Sequence, residues 1–209
     1  MNILLFGATG PTGLQVAKQS LERGHTVRAF VRDPGRLTTR DDRLRVVAGD
    51  TTRDAGAIAE AVRGQDAVVS ALGRHLTLKS DRLIERSLRL IVPAMERAGV
   101  RRLVLLSAFG VGASGRDAPL LQRLMQRLLL RDIFADKLVG ESLVRQSGLD
   151  WSLVYPVMLT DGPLTRQYRA GERLELHGLP KISRADVAHF IVHELEQGAY
   201  VRKTAVLSD

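Results

Sequence analysis

The opening of the chain constrains its fold more tightly than any other segment. A short apolar run, Asn2–Phe6, leads into Gly7-Ala8-Thr9-Gly10-Pro11-Thr12-Gly13. A stretch with helical spacing follows, with Leu14, Ala17 and Leu21 on one face, and Gly24 stops it. A second apolar run covers Thr26–Val31. Strand, glycine turn, helix and second strand in that order make a β-α-β unit. In such a unit Gly7 allows a tight turn, Gly10 lets a bound group approach the backbone, and Gly13 lets helix pack closely on strand. The helix N-terminus offers unpaired N–H groups and the positive end of a dipole, which suits phosphate. Pro11 costs that helix little, because its missing N–H would have had no helical partner.

The alternation continues along the chain. Strands are expected at Leu44–Ala48, Ala67–Ser70 and Arg102–Ser107, with helices at Asp54–Val62 and Asp81–Ala98 between them. The strands read as continuous apolar runs, as parallel strands covered on both faces do. The pattern therefore predicts an α/β fold with a doubly wound parallel sheet of the Rossmann type. A length of 209 residues suits a single domain. Further on, Ala118–Gln146 reads as one helical region bent near Arg131–Asp132. Asp150–Tyr155 and Thr204–Leu207 read as strands, and Ser183–Leu195 as a helix with Ser183 at its N-cap. Asp161–Pro180 is rich in glycine and proline. It is expected to make loops and short strands, so that the portion from about 150 to 209 covers a substrate.

Ligands of such sheets bind at the carboxyl ends of the strands. The second strand ends in Arg32 and Asp33, with Arg36 nearby. An acid there serves the ribose hydroxyls of NADH, whereas an arginine can fork onto a 2′-phosphate. Arg32, assisted by Arg36, thus predicts a preference for NADPH. Asp50 and Thr51 follow the third strand; Asp50 either accepts from the adenine amino group or caps the next helix. Ala71, Leu72 and Gly73 follow the fourth strand and are small enough at the edge for a cofactor to lie close. Ser107, Ala108 and Phe109 follow the fifth, where the nicotinamide is expected.

Composition narrows the other possibilities. The chain has no cysteine, which excludes disulfides, cysteine metal sites and cysteine nucleophiles. Its net charge is +8, but the basic residues are scattered and aromatic residues make up only 4%, so no nucleic-acid surface is expected. Met1 runs straight into apolar sequence without a basic leader, and no apolar stretch approaches a membrane span; a cytoplasmic protein is expected. A stripe of Leu120, Leu121, Leu124 and Leu128, backed by Arg123, Arg127 and Arg131, fits a core or partner face better than a membrane surface. His189 and His193 lie one helical turn apart but lack a third ligand, and no metal is expected. His75 lies in a loop near the edge of the site.

Taken in order, the glycine loop, Val31-Arg32-Asp33, Gly49-Asp50, the strand ending at Ser107, Ser147–Trp151 and Asp161-Gly162-Pro163-Leu164-Thr165 resemble the atypical short-chain dehydrogenase/reductases. The branch most similar is that of the NADPH-dependent flavin reductases, also called biliverdin-IXβ reductases. The resemblance implies NADP(H), reduction of planar acceptors such as flavins, quinones or linear tetrapyrroles, and Ser107 and Pro156 beside the cofactor. Two departures stand out. Where ordinary members carry Tyr-x-x-x-Lys, this chain has Ile133 and Lys137; Lys137 is either a nicotinamide-ribose ligand or a surface charge. Where the flavin and biliverdin reductases carry histidine, it has Met158. Losing the tyrosine argues against alcohol–ketone chemistry, which needs a proton donor beside the carbonyl. Direct hydride transfer to a stacked planar acceptor survives both losses, with Ser107 and Lys137 as catalytic candidates and Phe109 and Met158 as acceptor walls. A non-catalytic NADP(H) sensor and a nucleotide-sugar epimerase or dehydratase remain as alternatives. A monomer or homodimer is expected.

Overall fold

Parallel strands need helices on both faces to bury them, and the chain supplies these in alternation. The computed structural model describes residues 1–73, 81–111 and 131–209. Its elements are β1 (Asn2–Phe6), α1 (Pro11–Glu22), β2 (Thr26–Val31), β3 (Leu44–Ala48), α2 (Ala55–Val62), β4 (Ala67–Ser70), α3 (Leu83–Ala98) and β5 (Arg102–Leu106). There follow α4 (Arg131–Gln146), β6 (Asp150–Pro156), β7 (Met158–Thr160), β8 (Arg169–Gly171), β9 (Lys181–Ser183), α5 (Arg184–Gln197) and β10 (Lys203–Ser208).

The main sheet has the order β3-β2-β1-β4-β5-β6-β10-β8. Every neighbouring pair is parallel except β10 with β8. The chain winds outward from β1 through β3, then crosses back to β4 and winds the other way. Helix α1 packs with α5, and α3 packs with both α2 and α4. Right-handed crossovers put these two groups on opposite faces of the sheet. This is the single α/β domain, doubly wound, that the sequence pattern predicts. Side chains of β1 from Ile3 to Phe6 are wholly buried, as the middle strand of such a sheet requires.

Element limits shift by a residue or two at several places. Helix α3 starts at Leu83 rather than Asp81, after Arg82 takes left-handed backbone angles (φ 58°). Its cap comes from far away: Asp136 on α4 accepts from the N–H groups of Ile84 (3.0 Å) and Glu85 (2.9 Å). Ser183 caps α5 as expected, accepting from the Asp186 N–H at 2.9 Å. Of the expected helix 118–146, the half from Arg131 onward is α4. The leucine and arginine stripe at 120–128 and His75 lie outside the described residues.

Candidate active site

The winding direction of the sheet reverses between β1 and β4, and the carboxyl ends of strands on either side of such a point part to leave a crevice. A cleft of about 300 Å³ opens there, lined by Gly7, Thr9, Gly10, Arg32, Arg36, Thr51 and Ala71–Gly73 among others. Its floor is the glycine turn. Gly7 has φ +84°, and a Cβ on it would lie 2.5 Å from the Ala71 carbonyl oxygen; a Cβ on Gly13 would lie 2.1 Å from that of Gly7. Neither position tolerates a side chain, so the backbone is drawn tight against strand and helix. Ala8 and Thr12 are buried behind the turn. Gly10 caps α1 without any side-chain bond, and Pro11 follows at the first helical position. The N–H groups of that first turn are thus left for a ligand, and the cradle fits a pyrophosphate.

Arg32 and Arg36 stand at the rim. Asp33 Oδ1 accepts from the Gly35 N–H at 3.0 Å and shapes the short turn Pro34–Arg36. Its carboxylate is thereby occupied, and neither guanidinium has an ion-pair partner among the described residues. Asp50 does not cap the next helix: Asp54 stands at the N-cap of α2, and Asp50 shapes the turn that precedes it. Its carboxylate accepts from the Thr52 N–H (2.8 Å) and hydroxyl (2.7 Å) and pairs with Arg53 (3.0 Å), and it does not line the cleft. These bonds hold its carboxyl below the usual aspartate range. Thr51 does line the cleft, its Oγ1 fixed by a bond from Ser87 Oγ at 2.8 Å.

A second cleft of about 390 Å³ shares Gly10, Ala71, Leu72 and Gly73 with the first and continues over the ends of β5 and β6. Ser107, Lys137, Ile133, Pro156, Val157 and Leu159 line it. Beneath Ser107 lies a side chain that sequence patterns did not single out. Glu141 on α4 is only 2% exposed. Its Oε1 accepts from Ser107 Oγ at 2.5 Å, and its Oε2 accepts from the Tyr155 hydroxyl on β6. Burial pushes the Glu141 carboxyl up, against the downward pull of its hydrogen bonds and of the nearby Arg145 and Lys137 charges. Tyr155 is pushed up as well, by burial and by that carboxyl. Lys137, one turn before Glu141, is half-buried, and desolvation lowers its ammonium to about 8 in spite of the opposing pull of Glu141 and Asp136.

The two acceptor walls expected from sequence are displaced. Phe109 turns into the core, 5% exposed, its N–H donating to the Pro156 carbonyl at 3.0 Å. Met158 is 54% exposed, because β7 pairs with β9 and its alternation sends Leu159 inward instead. Val157, Leu159 and Ile133 take their places among the described residues. His189 meets the Tyr168 hydroxyl at 2.8 Å, and its ring stacks on that of His193. No cluster of three or more possible metal ligands exists among the described residues.

The ribbon β7–β9 and the Asp161–Thr165 segment are fastened by Asp186, 3% exposed near the start of α5. Its carboxylate accepts from the N–H groups of Thr165 (2.9 Å) and Arg166 (2.7 Å) and the hydroxyls of Thr165 (2.9 Å) and Ser183 (2.8 Å). Arg166 is held with φ 59°, in the left-handed region. Burial raises the Asp186 carboxyl, but the four hydrogen bonds outweigh it and the net shift is downward. A lowered folded value means stability that is complete above the unfolded value, about 3.9, and lost as pH falls through the folded one. Asp186→Asn is therefore expected to destabilise by about 1.5–3 kcal/mol at neutral pH. The difference from the parent protein should shrink below about pH 4 in urea unfolding followed across pH; a difference constant with pH would contradict it.

The sequence model of a family described as NAD(P)H-binding matches residues 7–198. The chain belongs to that family. An uncharacterised chloroplastic protein of Arabidopsis thaliana, At2g34460, is 30% identical over 78% of the chain, and the photosystem II assembly factor Ycf39 of Synechocystis is 24% identical over 98%. The chain spans 61% of the length of each. Among solved structures, ChuY of Escherichia coli O157:H7, titled an anaerobillin reductase, superposes with a TM-score of 0.80 at 26% identity, covering 99% of this chain and 96% of that one. A short-chain dehydrogenase/reductase of Veillonella parvula in complex with NADP shares the fold, with a TM-score of 0.84 at 18% identity, over 100% and 94% of the two chains. Among the described residues of this chain no helix is long and apolar enough to cross a membrane.

Proposed function

We propose that the chain is a cytoplasmic NADPH-dependent reductase that passes hydride to a small planar acceptor such as a flavin or quinone. The observation that carries this reading is the continuity of the two clefts. One ends at the glycine turn and paired arginines; the other opens beyond Ala71–Gly73 over Ser107 and is walled by Val157, Leu159 and Ile133. A space walled in part by apolar side chains next to the expected nicotinamide position suits a planar acceptor stacked on it, and a bound dinucleotide would supply the hydride. The protein contributes orientation and exclusion of water. The likeness to ChuY, itself titled a reductase, supports the same class of reaction. The portion from about 150 onward, fastened by Asp186, forms the cover of the acceptor side.

The test is oxidation of NADPH, followed by absorbance, with and without FMN and with NADH for comparison. FMN-dependent oxidation that is faster with NADPH supports the reading. Binding of NADPH without oxidation by FMN or by a quinone overturns it in favour of an NADP(H)-binding sensor. Arg32→Ala should weaken NADPH binding by about 10- to 100-fold, the worth of a charge-assisted bond to phosphate, and leave NADH binding unchanged. Equal losses for both cofactors would show that Arg32 does not meet the 2′-phosphate.

A further inference from the structure

We propose that Glu141, acting through Ser107, is the proton donor of the acceptor cleft, in place of the tyrosine hydroxyl whose position Ile133 occupies; this rests on the reductase reading. The geometry is a short chain of exchangeable groups. Glu141 is sealed from solvent, and its two oxygens are held by two hydroxyls, Ser107 Oγ and Tyr155 Oη. Ser107 also lines the cleft. A hydroxyl can donate and accept at once, whereas the amide of a glutamine in this place could not cycle a proton. Unlike Asp186, whose carboxylate is compensated by two backbone N–H groups, Glu141 has only two hydroxyls on its oxygens among the described residues, which favours an exchangeable proton there.

The chain has two states. With Glu141 as carboxylate, the Ser107 proton points inward and the cleft meets only a lone pair. With Glu141 as acid, its proton points at Ser107 Oγ and the serine hydrogen is turned to the cleft. Among the described residues, the charged and titratable groups around Glu141 are Lys137 and Arg145, one turn away on either side along α4, and Tyr155 on β6. Arg145 is held by Thr204 Oγ1 at 3.0 Å and lies over the Trp151 ring. On the α3 side, the neighbouring Gly140 meets Ile84 and Leu88, both apolar. Burial favours the acid state.

The step balances. Hydride, one hydrogen with two electrons, would leave a C–H bond of the bound dihydronicotinamide, which is oxidised, and add to the acceptor, which is reduced. The Ser107 O–H bond breaks and its proton goes to the oxygen or nitrogen on which negative charge collects. A new Oγ–H bond forms with the proton from Glu141, which is left as carboxylate. When product leaves, water entering the cleft returns a proton along the same path. The acceptor this favours carries a conjugated carbonyl or imine whose heteroatom sits over Ser107.

Infrared spectroscopy of the NADP⁺-bound protein tests the proton store without turnover. A carboxylic-acid carbonyl band at neutral pH is expected in the parent protein, absent from Glu141→Gln, displaced in Ser107→Ala, and titrating above the usual glutamate range. Its absence down to about pH 4.3, the ordinary glutamate value, overturns the proposal whatever the activity. Turnover tests the relay. With FMN, Glu141→Gln should lower kcat by about 10²- to 10⁴-fold, the range of general acid catalysis, and abolish the solvent isotope effect while leaving NADPH affinity unchanged. Unchanged kcat in a variant that binds NADP⁺ also overturns it. A parent protein that shows the band but oxidises no NADPH with FMN or a quinone sinks the reductase reading and leaves the proton store standing.

Discussion

Replacing Glu194 with alanine is expected to destabilise the protein by about 3–5 kcal/mol, the loss typical when one partner of a buried charge pair is removed. In a domain of this size that is a fall in Tm of roughly 6–20 °C. Arg102 enters from the start of β5 with its side chain 13% exposed, and Glu194 on α5 is 2% exposed. The guanidinium donates to the Glu194 carboxylate at 2.7 Å and to its carbonyl at 2.9 Å, and also to Ser152 Oγ and the Asp150 carbonyl, both at 2.9 Å. The same carboxylate accepts from Ser152 Oγ (2.8 Å) and the Tyr200 N–H (3.0 Å). Removing it leaves a cation sunk between sheet and helix with carbonyls and the Ser152 hydroxyl as its remaining partners. Burial already lowers the Arg102 guanidinium, with Glu194 opposing. Glu194→Gln keeps an acceptor and should cost less, and a double change of both residues to leucine should recover much of the loss. Thermal unfolding of the three variants separates these cases; a loss under about 1 kcal/mol for Glu194→Ala would mean that Arg102 escapes to solvent.

The second large effect is expected at Gly13. A valine there places Cβ only 2.1 Å from the Gly7 carbonyl oxygen, and it is backbone that must yield. Overpacking of this kind typically costs about 1–3 kcal/mol. The turn that moves is the one whose amides face the first cleft, so NADPH affinity should fall by about 100-fold or more, since each tenfold is about 1.4 kcal/mol. Gly10→Ala is the control, because its Cβ would meet the Gly7 oxygen at 3.4 Å. Calorimetric titration with NADPH should rank parent, Gly10→Ala and Gly13→Val in descending affinity. Similar affinities for the parent and Gly13→Val would contradict the close packing of α1 on β1.

These positions differ in how far sequence alone exposes them. The glycine spacing and the apolar strands are local signals: β1, β2, β3 and β4 fall at the residues their runs mark. In β1 and β4 burial on both faces leaves no polar alternation to blur the run, whereas β3, at the sheet edge and largely unburied, is marked by its leucine and valines. Arg32 and Thr51 reach the first cleft for the same reason, since they follow strands whose ends are readable. Glu141 is different. Between Asp136, Lys137 and Arg145 it looks like one more charge on a solvated helix, and only the approach of β5 and β6 buries it. Asp136 is hidden in the same way, since it caps a helix 51 and 52 residues earlier. Met158 shows the complementary error. Its place in the chain is right for the acceptor side, but strand alternation decides which face a residue takes, and a shift of one residue exchanges Met158 for Leu159.

The clasp at Asp186 separates holding from recognising. It grips the cover mainly through the backbone N–H groups of Thr165 and Arg166, which any residue but proline provides. Asp161 adds one ion pair, to Arg184 at 2.7 Å, but the side chains of Pro163 and Leu164 are not what fastens the segment. They can therefore be exchanged over evolutionary time without loosening the closure, and so can Met158 and Leu159 within their ribbon. A lineage built on this scaffold can drift from one acceptor to another by rewriting the cover while the glycine turn and the clasp stay as they are.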